Sequence, residues 1–211
     1  MTFTLAAGVP VAWLVARASG LVALVLLTVS VMLGLALSTR LLGNRRGKLL
    51  FGWHQTIAWT ALAMLVLHMT ALALDPTIGF GLTGVLVPGA APWRPLPVAA
   101  GIVTAWLMLA LALSFRVRRR IGQRRWRLIH YATFAAFAIA LYHAINVGSD
   151  LTGTRGLIIA GAIAAPVVWL TYARILMPRP GGRRAPVSPP APVSATGPPT
   201  PPEERRVGAP A

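Results

Sequence analysis

Residues 51–74 read FGWHQTIAWTALAMLVLHMTALAL and contain two histidines, His54 and His68, but no aspartate, glutamate, lysine or arginine. A helix needs roughly 20 apolar residues to cross a hydrocarbon layer of about 30 Å, and this run is long enough. A histidine inside such a helix is costly to bury unless it has a partner. The stretch therefore predicts a membrane-spanning helix that carries two functional candidates.

Four similar apolar segments lie on either side of this stretch. They cover residues 11–37, 97–115, 128–147 and 156–176. The whole chain of 211 residues is 56% hydrophobic and 11% charged, with a mean hydropathy of +0.68, which lies outside the range of soluble globular proteins. We therefore expect an all-α integral membrane bundle of about five transmembrane helices, with the first segment retained rather than cleaved as a signal peptide.

Basic residues occur in alternate connections between these segments. They fall between the first and second segments, between the third and fourth, and after the fifth, while the remaining two connections carry few charges. Under the positive-inside rule this places the N-terminus outside and the C-terminus inside. The same alternation explains the net charge of +16 better than nucleic-acid binding does, and we expect no nucleic-acid partner.

The chain divides into two predicted parts. Residues 1–176 form the membrane domain, and residues 177–211 form a Pro- and Arg-rich cytoplasmic tail that lacks the apolar residues needed to fold, so we expect it to be disordered. The chain has no cysteine, which excludes disulfides, thiolate haem ligation and cysteine-held iron–sulfur clusters. A metal would have to be held by histidine, methionine or oxygen ligands.

All four histidines of the chain lie in the second and fourth segments. His54 and His68 are about 21 Å apart along a helix axis, and His130 and His143 about 20 Å, at a rise of about 1.5 Å per residue. Because the predicted topology makes these two helices parallel, His54 lies level with His130 and His68 with His143. Two imidazoles at each level are what two six-coordinate b-type haems require.

The helical rotation between the two histidines is close to a whole number of turns in the second segment but not in the fourth. Fourteen residues at about 100° each bring His68 to within roughly 40° of His54, whereas thirteen residues leave His143 about 140° from His130. Either a local bulge or a differently rotated second haem is needed. The competing interpretation is that the histidines only bond neighbouring hydroxyls, such as those of Thr56 and Thr133.

Arginines near the histidine levels are candidate partners for haem propionates. Arg46 and Arg127 lie close to His54 and His130 on the inner side, although the positive-inside rule alone accounts for them equally well. Arg17 lies inside the outer end of the first helix, where topology does not require a charge. The membrane segments contain no acidic residue, which argues against a carboxylate proton relay or a cation transporter.

These features resemble the ferric reductase-like transmembrane domain, the haem-bearing module of ferric reductases, NADPH oxidases and the membrane subunit of bacterial methionine-sulfoxide reductase systems. The resemblance spans roughly residues 13–147. It rests on the two histidine spacings, on the stretch RRRIGQRRWRLIH at residues 118–130, and on Ala16-Arg17-Ala18, which is similar to the family's propionate-binding site. It implies that His54 and His130 bind an inner haem and His68 and His143 an outer one.

The resemblance also leads to expectations about the electron donor, the electron acceptor and the location of the protein. Residues 177–211 are too short and too polar to form the flavin and nicotinamide domain of ferric reductases, so we expect electrons from a separate flavoprotein or from the quinol pool. The expected acceptor is ferric iron, a periplasmic partner protein or oxygen, and the expected location is a bacterial-type inner membrane, in contact with its lipid. A haem carrier or sensor without turnover, and a bundle without cofactor, remain the alternatives. Whether the chain is itself an oxidoreductase stays open.

Overall fold

The computed structural model describes residues 11–39, 43–151 and 153–176, and this part of the chain is helical and contains no strand. The predicted tail at residues 177–211 lies outside the described residues. Seven α-helices and one 3₁₀ turn follow in this order: α1 (Val11–Thr39), α2 (Gly43–Leu74), α3 (Gly81–Leu86), α4 (Pro95–Ile121), α5 (Gln123–His130), α6 (Ala132–Val147), the 3₁₀ turn (Ser149–Leu151) and α7 (Gly153–Leu176).

Five helical spans in this part of the chain are long and apolar enough to cross a membrane: α1, α2 from Arg46, α4, α5 together with α6, and α7. The prediction of a five-helix membrane bundle is confirmed, and the protein is a multi-pass membrane protein. Several spans are longer than the apolar segments that predicted them. Arginine and lysine are good helix formers, so α2 and α4 continue beyond the hydrocarbon-length core into their basic ends.

Two helix pairs form the frame of the bundle. Helix α1 packs along α2, and α4 packs along α6, while α7 packs against α1. One buried apolar cluster, formed by Leu27, Leu35, Phe137 and Val167, joins α1, α6 and α7. Helix α2, which carries His54 and His68, is thus packed against α1, and α6, which carries His143, is packed against α4.

The connection between α2 and α4, residues 75–94, folds against the bundle. The predicted topology places it on the outer side, and the ends of the bundle are called outer and inner according to that prediction. The connection contains the short helix α3, and its residues Phe80, Val85 and Ala91 form a second buried cluster with Val98 and Ile102 of α4. Gly79, Gly81 and Gly89 have positive φ angles, which glycine adopts without a steric penalty. The tight turns at these glycines allow the connection to fold back on the bundle. Residues 75–94 therefore cover the end of the bundle at which α4 begins, and we call them the lid.

Candidate functional site

The structure brings the four histidines together in two pairs. The ring centroids of His54 and His130 are 6.2 Å apart, and those of His68 and His143 are 6.5 Å apart. In both pairs the ring planes meet at 81°. The pairing is the one that the matching depths in the sequence predict, with one member of each pair on α2 and the other at the end of α5 or on α6.

The spacing within each pair suits one metal ion between two imidazoles. A metal-bound imidazole nitrogen lies about 2.0–2.1 Å from the metal, as in zinc sites, and about 1.1 Å from its own ring centre, so two collinear rings would be about 6.2–6.4 Å apart. A direct hydrogen bond of about 2.9 Å between the rings would bring the centroids to about 5.1 Å. Within the described residues no third histidine or carboxylate joins either pair. Iron in a porphyrin, which brings four nitrogen ligands of its own, fits this donor set.

Three of the four imidazoles are fixed by a backbone carbonyl of the helix behind them. The Nδ1–H of His54 donates to the Ser30 carbonyl at 2.9 Å, with the Ser30 hydroxyl oxygen 3.2 Å away, and that of His68 donates to the Ala16 carbonyl at 2.7 Å. On the other side of the bundle, Nδ1–H of His143 donates to the Pro97 carbonyl at 2.8 Å. Because a carbonyl can only accept, Nδ1 carries the proton in each ring and Nε2 is left with a free lone pair. This is the tautomer that a metal ligand needs.

A glycine four residues after each of these carbonyls leaves space for the imidazole. A Cβ added at Gly20 would lie 2.8 Å from Nδ1 of His68, and one at Gly101 would lie 2.6 Å from Nδ1 of His143. At Gly34 the added Cβ would lie 3.5 Å from Cε1 of His54, which is an ordinary contact. The carbonyl at position i and the residue at i+4 lie one above the other on a helix. At Gly20 and Gly101 a side chain would therefore stand where the imidazole approaches, whereas at Gly34 there is room for a Cβ.

An interruption at Tyr131 accounts for the unequal spacing of the second pair of histidines. Helix α5 ends at His130 and α6 begins at Ala132, and the N–H of Phe134 bonds the Tyr131 carbonyl three residues earlier at 3.1 Å. Turns with i→i+3 bonds wind by about 120° per residue rather than about 100°. The extra winding moves His130 and His143 toward a common side, so a local irregularity is present where the spacing requires one.

An apolar cavity of about 550 Å³ surrounds the outer pair. Its wall includes His68 and His143 together with Gly20, Gly101 and Phe80 of the lid. Cofactor sites are commonly about 300–1,000 Å³ and mostly apolar, with a few polar groups at one side. Here the charged residues of the wall are Arg17 and Asp150, accompanied by a few hydroxyl-bearing residues.

Arg17 is held in place by two partners. Its guanidinium forms a two-point ion pair with Asp150 of the 3₁₀ turn, in which Nε donates to Oδ2 at 3.0 Å and Nη2 donates to Oδ1. It also lies 4.2 Å above the ring of Trp13. The side chains of Arg17 and Asp150 are 35% and 33% exposed, so the pair is partly open to the outside. Arg17 thus lies beside the cavity of the outer histidine pair, as the sequence suggests, but it shares its charge with a carboxylate.

The two inner arginines have exposed side chains. Arg46 lies eight residues before His54, and Arg127 lies three residues before His130. Neither forms a side-chain hydrogen bond or an ion pair with another residue in the described ranges. Their proposed contact with an inner propionate stays a prediction.

Several residues of the site are absent from the sequence-based prediction. Gly20 and Gly34 are separated by fourteen residues, as are His54 and His68, and in an antiparallel helix pair this equal spacing places a glycine beside each histidine. That signal was present in the sequence. Asp150 gave no comparable signal, because its role depends on a contact across 133 positions of the chain.

Comparison with known proteins gives one family. No curated protein and no solved structure matches the chain significantly. A family model described as "Ferric reductase like transmembrane component" matches residues 19–141, which is more than half of the chain and includes all of the histidines except His143. With five membrane-spanning helices and two histidine pairs on α2 and α5–α6, the chain belongs to the ferric reductase-like transmembrane component family.

Proposed function

We propose that the protein is a transmembrane electron-transfer subunit that holds two b-type haems, one between His54 and His130 and one between His68 and His143. The observation that supports this most directly is the separation within each pair, 6.2 and 6.5 Å, which admits one iron between two imidazoles. Each haem, when bound, would supply a one-electron carrier. The family of ferric reductase-like membrane components is consistent with such a carrier.

The chain's own residues would bind and orient these groups. The carbonyls of Ser30, Ala16 and Pro97 fix three of the imidazoles with Nε2 free for the iron. The lid would limit the access of water to the outer pair, since Phe80 lines the cavity and is buried against α4. Arg17 would offset the negative charge of an outer propionate, and Arg46 and Arg127 would do so on the inner side.

The charge distribution suggests where electrons enter. The ends of α4 and α5 carry exposed arginines, with no acidic residue among them. Such a surface attracts an acidic partner and speeds its association. We take the donor to be a separate cytoplasmic flavoprotein, with the quinol pool as the other candidate. The acceptor on the outer side would be ferric iron, a periplasmic partner protein or oxygen, and the location a bacterial-type inner membrane.

Reduced-minus-oxidised absorbance of the purified protein tests this proposal. We expect b-type bands that correspond to two haems per chain, and the loss of one haem in His68→Leu with the other retained. Thr60→Val is a matched control, since Thr60 is exposed on the same helix and, within the described ranges, its hydroxyl bonds the Thr56 carbonyl alone. A protein without haem would refute the proposal. A b-type band that no flavoprotein or quinol reduces would favour a haem carrier or sensor instead.

A further inference from the structure

His130 differs from the other three histidines in how its ring is held. Its Nδ1 is buried and has no hydrogen-bond partner among the described residues. The ring instead stacks on the indole of Trp126, with centroids 4.9 Å apart and planes 20° from parallel. A buried ring nitrogen without a partner is uncommon in a folded protein and calls for an explanation.

The register of α4 shows why no carbonyl serves His130. Thirteen residues separate Gly101 from Ser114, as thirteen separate His130 from His143, so Ser114 occupies the place in α4 that glycine occupies beside His143. Ser114 is buried, and its Oγ donates to the Leu111 carbonyl at 2.7 Å. A side chain at this position fills the space through which an imidazole would approach the helix backbone.

Ser114 also holds Trp126. The Nε1–H of Trp126 donates to Oγ of Ser114 at 3.2 Å, and the indole makes an edge contact with Phe115 at 6.1 Å between centroids. The guanidinium of Arg118 lies 5.7 Å from the same indole. The indole therefore has a fixed orientation on three sides before it meets His130. It can transmit that orientation to the imidazole by stacking.

We propose that Trp126, fixed by Ser114, is the positioning residue of His130, in place of the backbone carbonyl that positions each of the other three histidines. This inference rests on the proposed function, since it concerns a ligand of the inner haem. A carbonyl partner on Nδ1–H raises the basicity of an imidazole ligand. Without a carbonyl partner, the imidazole of His130 is a less basic iron ligand than the other three. The orientation of its ring then depends on the stacking contact with Trp126.

The test uses the full-length haem-loaded protein and three substitutions. Trp126→Leu removes the stacking ring, Trp126→Phe keeps a ring but loses the hydrogen bond to Ser114, and Ser114→Ala removes the acceptor. Trp59→Leu is the matched control, because Trp59 is an exposed tryptophan of α2 and makes no ring contact with a histidine in the described part of the chain. The readouts are the haem content, the midpoint potential of each haem and the low-spin ferric EPR signal, which depends on the angle between the axial imidazole planes. His68→Leu and His54→Leu assign the two signals.

We expect Trp126→Leu to shift or abolish the inner signal and to leave the outer one unchanged. Trp126→Phe and Ser114→Ala should give smaller shifts of the inner signal, and Trp59→Leu none. If Trp126→Leu gives no haem-loaded protein, the other two variants decide. Unchanged inner signals and potentials in the variants that load haem would overturn the proposal. Absence of haem from the unmodified protein would instead refute the proposed function, so the two failures are distinguishable.

Discussion

Substitution of Gly101 by alanine should weaken the outer haem site selectively. The added Cβ would lie 2.6 Å from both Nδ1 and Cε1 of His143, whereas non-bonded carbon atoms settle about 3.5–4.0 Å apart. The imidazole must therefore move by about 1 Å. It is the end of a side chain and can turn away, so the fold survives. Turning away breaks its 2.8 Å hydrogen bond to the Pro97 carbonyl.

The size of the effect follows from the loss of that hydrogen bond. Removing the partner that orients a metal-bound histidine lowers metal affinity by about 10–100-fold. That corresponds to about 1.4–2.7 kcal/mol at about 1.4 kcal/mol per factor of ten. Alanine is more favourable than glycine inside a helix by about 0.5–1 kcal/mol, so α4 itself is not weakened. A loss of haem would therefore report the contact with His143.

Haem titration of the purified protein, followed by b-type absorbance, measures this effect. Gly34→Ala is the control, because its Cβ would make an ordinary 3.5 Å contact with Cε1 of His54. We expect Gly101→Ala to bind the outer haem about 10–100-fold more weakly and Gly34→Ala to bind both haems normally. Unaltered outer-haem affinity in Gly101→Ala, or an equal loss in both variants, would refute the reasoning.

Three further predictions concern charge, ring geometry and orientation. Asp150→Asn should raise the midpoint potential of the outer haem by removing a negative charge, and Arg17→Gln should lower it, in redox titrations; shifts of the same sign would contradict this. Because both ring pairs meet at 81°, each ferric haem should give a strongly anisotropic EPR signal, and a rhombic signal would argue against the geometry. Since the chain lacks cysteine, Gln123→Cys should be protected from an impermeant maleimide in right-side-out vesicles and Leu82→Cys labelled; the reverse pattern would invert the predicted topology.

The membrane fold was largely readable from the sequence, because hydrocarbon thickness sets the length of each apolar run. The segment at residues 11–37 corresponds to α1 (Val11–Thr39), and that at 156–176 to α7 (Gly153–Leu176). The place of the break at Tyr131 was not readable, since neither proline nor glycine marks it. The sequence also gives no indication of the short helix α3, because its six residues are too few to form a periodic pattern.

The sequence predicts which histidines pair, but it predicts only some of the residues that hold them in place. Equal axial separations on parallel helices determine which histidines lie level, which gave His54 with His130 and His68 with His143. The carbonyls that accept hydrogen bonds from the histidines belong to the main chain, so no residue type identifies them in the sequence. The spacing of Gly20 and Gly34, which equals that of His54 and His68, is the sequence feature that points to them. The pairing of Arg17 with Asp150 depends on how the 3₁₀ turn is placed, which local sequence does not determine.

The use of main-chain oxygens to fix three imidazoles makes those contacts independent of residue identity. Every amino acid has such an oxygen, so replacing Ala16 changes nothing that His68 bonds to. The residue type matters instead at Gly20, one helical turn away, where any larger side chain would block the approach of the His68 imidazole. Design of a similar bundle could therefore exchange an anchoring residue without losing its carbonyl contact, provided that the neighbouring turn remains bare. Packing sets the limit, since Ala16 is only 2% exposed and admits only a small side chain.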